Sequence, residues 1–326
     1  MTEPARTASG QRLHITNSTA PSEHGSGFSN PQRPGLAVAF MLTAMLAFAA
    51  MDAVSKILAQ HLSIPQILWF RYIFYTALVT LMLRRPGIGT VLRSTRQPAL
   101  QLGRALLIII ENGVFVLAFT LMPLADMHAI AAASPLIVVA LSVPMLREKV
   151  GPRRWLAVIA GFIGVLLIVR PGFQTLDWRF AVAITGTMLW GVYQILVRMC
   201  ARTDSSDTTW AWTAVVGLLA TSTIGPFVWV WPDARGWSLL IAIAILGSLS
   251  HLALIKALGY SEAGSLQPYS YTLFLWAVVI GYAIFGDIPD HWTLAGALVI
   301  IASGLYAWHR ERVTRQQIAI GDGEER

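Results

Sequence analysis

The chain has 326 residues, 55% of them hydrophobic and only 13% charged, with a net charge of +7 and one cysteine, Cys200. Soluble domains carry about 25% charged residues, so this composition places the chain in a bilayer. The basic residues fall in short segments between apolar runs and in the tails, which argues against a nucleic-acid surface, and a lone cysteine permits neither an internal disulfide nor a cysteine-based metal site.

Residues 1–34 are rich in Ser, Thr, Pro and Gly and read as a disordered cytoplasmic tail. Windows of about 19 residues then find ten apolar stretches. They lie at 35–59, 65–83, 100–122, 126–146, 153–171, 178–200, 208–231, 236–259, 263–285 and 291–309. The first is too long for a signal-peptide core and is read as a retained span. Residues 310–326 form a second cytoplasmic tail. The longest connection, 84–97, is too small for a catalytic domain. With the amino terminus inside, sixteen Lys and Arg residues fall in inner segments and three, Arg170, Arg179 and Arg235, in outer ones. That asymmetry predicts an inner-membrane protein with both termini cytoplasmic.

The two halves of the chain share a weak pattern. An offset of 142 pairs Phe48 with Trp190, Asp52 with Gln194 and Lys56 with Arg198. An offset of 139 aligns Ala118–Asp126 with Ala257–Ser265, and extends to pair Asn112 with His251, Glu111 with Ser250 and His128 with Gln267. A five-helix unit is odd-numbered, so its second copy enters the membrane from the opposite side. The expectation is an all-α integral membrane protein of ten transmembrane helices in two inverted repeats, 35–171 and 178–309.

Polar residues at matching places in two such copies are the mark of a midplane substrate site. Asn112, His251, His128 and Gln267 are therefore candidates for substrate binding, against the alternative that they bond neighbouring helices. Trp190, Tyr193 and Gln194 form one stripe of the sixth span, and Tyr271 lies one turn after Gln267 in the ninth. Such a lining suits a small amphipathic molecule. Glu111 interrupts the run LIIIENGVFVLAF and needs a helix partner or a proton, which makes it a candidate coupling group. Arg104, seven residues earlier, is too far along the helix to reach it. Asp52 and Arg71 are further charge candidates, although Asp52 can pair with Lys56 at i+4 and Arg71 can snorkel to the surface. Pro135, Pro144 and Pro268 fall in the fourth and ninth spans and are candidate hinges.

Other function classes lack their chemistry. None of the three lysines follows a glycine, so the phosphate-cradling GxxxxGK[ST] loop is absent and neither ATP as cofactor nor an ATPase partner is evident. No HExxH metal site occurs, and Ser250–His251, the one tempting neighbour pair, points in two directions about 100° apart. No repeated charged ring or carbonyl filter motif suggests a channel. The chain reads as a carrier of small molecules in the lipid bilayer, without catalytic residues, metal or cofactor.

Four segments carry a family resemblance: LWFRY at Leu68–Tyr72, SPLIVVALSVPMLREKVGPRRWLAVIAGFIGVLLIVRPG at Ser134–Gly172, QPYSYTLFLWAVVIGYAIFGDIPD at Gln267–Asp290 and LAGALVIIASGLY at Leu294–Tyr306. With them the chain resembles the drug/metabolite transporter superfamily, of the ten-helix EamA type, over about residues 35 to 310. The resemblance implies alternating access around a cavity lined by the first, third, fourth, sixth, eighth and ninth spans. It includes similarity to YddG-type amino-acid exporters, so export of amino acids, aromatic ones included, is the leading expectation. Riboflavin or S-adenosylmethionine transport is the alternative, and an intramembrane enzyme the reading from another class. The second copy has Asp287 where the first has Glu148, and both read as structural.

Overall fold

A computed structural model describes residues 34–147, 150–170, 177–260 and 263–324. Among the described residues there are thirteen α-helices and no strand. The first four are α1 (Pro34–Leu58), α2 (Ile64–Met82), α3 (Ile88–Arg93) and α4 (Pro98–Leu121). The fourth predicted span is two helices, α5 (Leu124–Ala131) and α6 (Ser134–Leu146), followed by α7 (Pro152–Val169), α8 (Trp178–Cys200) and α9 (Ser206–Ser222). The remainder are α10 (Ala234–Tyr260), α11 (Ala263–Ser270), α12 (Thr272–Phe285) and α13 (His291–Glu324).

Local chemistry explains most of the boundaries. The side chains of Ser63, Asp177 and Ser205 cap α2, α8 and α9 by accepting from the backbone N–H of Gln66, Arg179 and Thr208. Proline occupies the first turn of α2, α4, α6 and α7, where its missing N–H has no intrahelical partner to lose. Gly286 closes α12 at φ 70°, a left-handed position that suits glycine.

Among the described residues nine helical segments are long and apolar enough to cross a membrane. The predicted span 208–231 is corrected. Its helix stops at Ser222, then a 3-10 turn covers Gly225–Val228 and an extended stretch follows. The Gly225–Pro226 step removes a backbone donor and stiffens the chain, which ends the α-helix early. At the other extreme α13 runs on to Glu324, past a stretch, 310–320, that contains neither Gly nor Pro.

The helix break in the fourth span falls at Ala132–Ala133, just before Pro135, whose ring cannot donate to the carbonyl of Ala131. A second break falls at Tyr271, three residues after Pro268. Pro144 lies inside α6, which continues to Leu146 without a break.

Helix packing follows a regular scheme. α1 lies along α10 and α4 along α8, α2 meets α9, and α7 meets α13. The pair α1 with α12 has its counterpart in α8 with α6. α7 and α13 approach through glycine, since a Cβ at Gly164 would lie 2.8 Å from the carbonyl oxygen of Gly296, and one at Gly296 would lie 2.6 Å from that of Gly164. Small residues allow such backbone contact in lipid, where packing rather than hydrophobic expulsion drives association. The exposed apolar side chains Leu156, Ile159, Phe162 and Ile163 run along the outside of α7, as a lipid-facing stripe does.

Candidate functional site

Mid-depth in the bundle, polar side chains from four helices converge. α4 contributes Glu111 and Asn112, α2 contributes Arg71, α1 contributes Asp52, and α10 contributes His251. Asn112 fixes its own amide by donating to the Ile108 carbonyl at 2.7 Å, which leaves its Oδ1 facing Arg71 at 3.5 Å. The snorkelling expectation for Arg71 is therefore corrected. Its guanidinium turns inward, toward Asn112 and the Met51 sulfur at 3.6 Å.

His251 packs edge-on against Phe48 with ring centroids 5.2 Å apart, and tilted against Tyr75 at 6.0 Å. Its residue surface is nonetheless exposed. The lipid stripe of α10 runs through Ile241, Ile245 and Leu249, and His251 is rotated about 200° from Leu249. Its open surface therefore faces the bundle interior. Tyr75 was not anticipated, although its place one turn after Arg71 on the same helical face is a signal the sequence carried.

The expected Asp52–Lys56 pair does not form. Asp52 instead lies 3.2 Å from Nε2 of His128 on α5. Lys56 reaches Asp287 at 3.2 Å, donates to the Met122 carbonyl at 3.0 Å and stands 4.7 Å from the Phe285 ring. For Lys56 the partner across helices wins because Asp287 and the Met122 carbonyl together satisfy its ammonium away from lipid, where a local i, i+4 pair would leave Asp287 without a counter-charge. Glu148 lies outside the described residues.

Toward the Asp204 end of the bundle a denser polar group appears. Arg104 is fully buried. It donates to Gln101 Oε1 at 3.0 and 3.1 Å, to the Thr209 carbonyl at 2.9 Å, to Thr213 at 3.0 Å and to the Tyr193 hydroxyl at 3.3 Å. Gln101 passes the chain on to Asp204 at 2.8 Å, and Asp204 also accepts from the Thr95 hydroxyl and the Arg96 N–H. Burial pushes the Asp204 carboxyl up, but the hydrogen bonds from Gln101, Thr95, Arg96 and Thr203 outweigh it and hold it below the usual 3.8. The sequence reading did not single out Asp204 or Gln101.

Trp190 and Tyr193 stack with centroids 5.4 Å apart, and the Arg104 guanidinium carbon lies 5.7 Å from the Tyr193 ring centre. Gln194 is half-buried on the same helix. Tyr271 is placed elsewhere: its hydroxyl lies where a Cβ on Gly304 would stand, so the ring packs on α13 rather than on the central group. Gln267 lies on α11, three residues before Ser270, at which that helix ends. At the far end, Trp69, Trp229, Trp231 and Trp237 form a ring cluster, and a cleft of about 330 Å³ opens between Leu58–Leu62 and Val230–Gly236. Among the described residues no group of His, Cys, Asp or Glu could hold a metal ion.

The central group can hold a polar molecule and stack a ring, and the relatives of this chain have names in keeping with that. The chain is 28% identical over 292 residues to a riboflavin transporter of Vibrio cholerae, covering 85% of this chain and 95% of the relative. It is 23% identical over 275 residues to an S-adenosylmethionine uptake transporter of Rickettsia conorii, covering 84% and 93%. A pseudopaline exporter of Pseudomonas aeruginosa is 25% identical over 274 residues, covering 82% and 93%. A solved crystal structure at 17% identity shares the fold, with a TM-score of 0.57 over 84% of this chain and 98% of that one. The relatives named here are not amino-acid exporters of the YddG type, which narrows the earlier resemblance to the family alone. The EamA-like transporter family matches twice, at residues 35–170 and 178–307, and the chain belongs to it: it is an integral membrane transporter of small molecules and not an enzyme.

Proposed function

We propose that this protein is a secondary carrier that moves a small, ring-bearing polar metabolite across the inner membrane by alternating access. The observation that carries the reading is His251, deep in the bundle yet open on its inner side, between Phe48, Tyr75 and Arg71. An interior polar surface in an otherwise apolar bundle has a use when cargo occupies it.

Two inverted repeats of five helices, 35–171 and 178–309, give the mechanism its symmetry. The double family match supports this, as does the exchange of packing pairs, in which α1 with α10 answers α8 with α4. In this scheme α9 is the seventh span, a short one of 17 residues. The excess of Lys and Arg on one side supports cytoplasmic termini. The helix breaks at Ala132–Ala133 and Tyr271 stand in equivalent spans, where two rigid halves would bend. Asn112 and His251 line the cargo site, with Trp190, Tyr193 and Gln194 toward the Asp204 end. His128 supports it through Asp52.

Riboflavin and S-adenosylmethionine are the favoured cargo candidates, supported by the relatives' names. Export of aromatic amino acids is the second reading, favoured by the stacked Trp190–Tyr193 pair. Purified protein in liposomes, loaded with each compound in turn, tests the function. Saturable counterflow of labelled cargo supports the carrier, whereas unsaturable flux would indicate a channel and defeat it.

A further inference from the structure

A basic and an acidic side chain, Arg71 and Glu111, stand at mid-depth without bonding to each other. Arg71 has as partners Asn112 Oδ1 at 3.5 Å and the Met51 sulfur at 3.6 Å, both at the edge of hydrogen-bond range. Glu111, 5% exposed, makes no hydrogen bond or ion pair among the described residues. Among the described residues no ion pair joins the two.

Neighbouring polar and charged groups have closer companions. Asp52 is taken by His128, Lys56 by Asp287, and Arg104 is enclosed by five bonds to Gln101, Tyr193, Thr209 and Thr213. Lys56, Asp287 and Arg104 thus find their partners inside the bundle. Arg71 and Glu111 are left without such partners, and a further species can complete them. A mobile ligand with both charges does so, and Asn112 already orients the cationic side.

We propose that Arg71 and Glu111 are the two poles of a zwitterion subsite, Arg71 receiving the carboxylate of the cargo and Glu111 its ammonium or sulfonium. The ring of the cargo then rests against His251 and Tyr75. A guanidinium binds a carboxylate with two parallel N–H bonds, which explains an arginine at this position better than a lysine. The inference rests on the carrier reading above and divides its candidates. S-adenosylmethionine and amino acids carry both charges, whereas riboflavin at neutral pH carries neither.

The test uses the full-length protein in liposomes, with labelled tryptophan, S-adenosylmethionine and riboflavin as counterflow probes. A zwitterion should exchange. Its decarboxylated and deaminated analogues should each compete at least ~10-fold more weakly than the parent. Arg71→Gln should erase the preference for the parent over the decarboxylated analogue, and Arg71→Lys should retain part of it. Glu111→Gln should erase the preference over the deaminated analogue. Equal competition by parent and analogues in the wild type overturns the subsite, and that comparison needs no variant to fold. Exchange of riboflavin with neither zwitterion overturns the subsite but keeps the carrier. No exchange of any probe by folded protein overturns both.

Discussion

The Asp52 carboxylate lies 3.2 Å from Nε2 of His128, joining α1 to the first segment of the broken fourth span. His128 is 4% exposed and packs on Phe119 with centroids 5.6 Å apart, so neither water nor another ring can replace the contact cheaply. Removing either side chain takes away the other's polar neighbour across the helices. Asp52→Asn and His128→Gln should each lose about 1–3 kcal/mol of stability, with a double variant losing less than the sum. Thermal unfolding in detergent measures this, and full additivity would show the contact to be incidental.

Lys56 and Asp287 link α1 to the segment after α12 over a sequence separation of 231 residues. We expect Lys56→Met and Asp287→Asn to alter counterflow rate in the same direction, and the double variant to resemble either single one. A coupling of about 0.5–3 kcal/mol in a rate cycle is the signature. Independent effects on rate would remove the pair from the transport cycle.

Gly304 has no room for a side chain because Tyr271 occupies the place of its Cβ. Gly304→Ala should therefore cost about 1–3 kcal/mol through overpacking. Tyr271→Phe, by removing the hydroxyl, should recover part of that loss in the double variant. Cargo affinity of the Tyr271→Phe single variant should stay near wild type, as measured by competition in liposomes, because the ring faces α13. A large affinity loss would return Tyr271 to the cargo site.

Trp190→Ala removes one half of the stack on Tyr193. The expected result is about a 10-fold weaker apparent affinity, since an aromatic contact is worth ~0.5–1.5 kcal/mol beyond its area. Unchanged affinity with normal folding would take Trp190 out of the lining.

Acid should loosen the Asp204 group in a defined window. The folded carboxyl titrates below its ordinary 3.8, so its contribution is present above that pH and is lost as pH falls through the lower folded value. Asp204→Asn should reduce stability at neutral pH and flatten the fall in stability below about pH 4. Melting temperatures from pH 7 down to pH 3 check both halves of the statement.

Much of the fold was legible because lipid imposes one simple rule on every span. Runs of apolar residues located α1, α2, α4, α7, α8 and α10 to within a few residues. What the runs could not reveal was which charge meets which. The i, i+4 rule pointed Asp52 at Lys56, but their partners lie 76 and 231 residues further along the chain and are set by helix packing. Arg71 gave the same lesson, as a flexible stem reaches either surface or interior and only the position of Asn112 decides. The end of span 208–231 was misplaced for a local reason: Phe227 to Trp231 keep a hydropathy window apolar, while the backbone reads Gly225–Pro226 as a stop. Asp204 was missed because it sits just past a span, where an acidic residue looks like ordinary loop chemistry until Gln101 and Arg104 are brought beside it.

The knot around Arg104 ties α4, α8 and α9 to the segment before α4 through directional bonds that share atoms: Gln101 serves both Arg104 and Asp204, and one guanidinium serves four neighbours. Such a fastening does not yield gradually, because loosening any member strands the rest without water to replace them. The tryptophan cluster at the opposite end combines edge-to-face ring contacts with the Trp69–Ser222 bond and the paired Gln66–Val230 bonds. The mouth that Arg104 fastens should thus part abruptly, with a steep dependence on temperature.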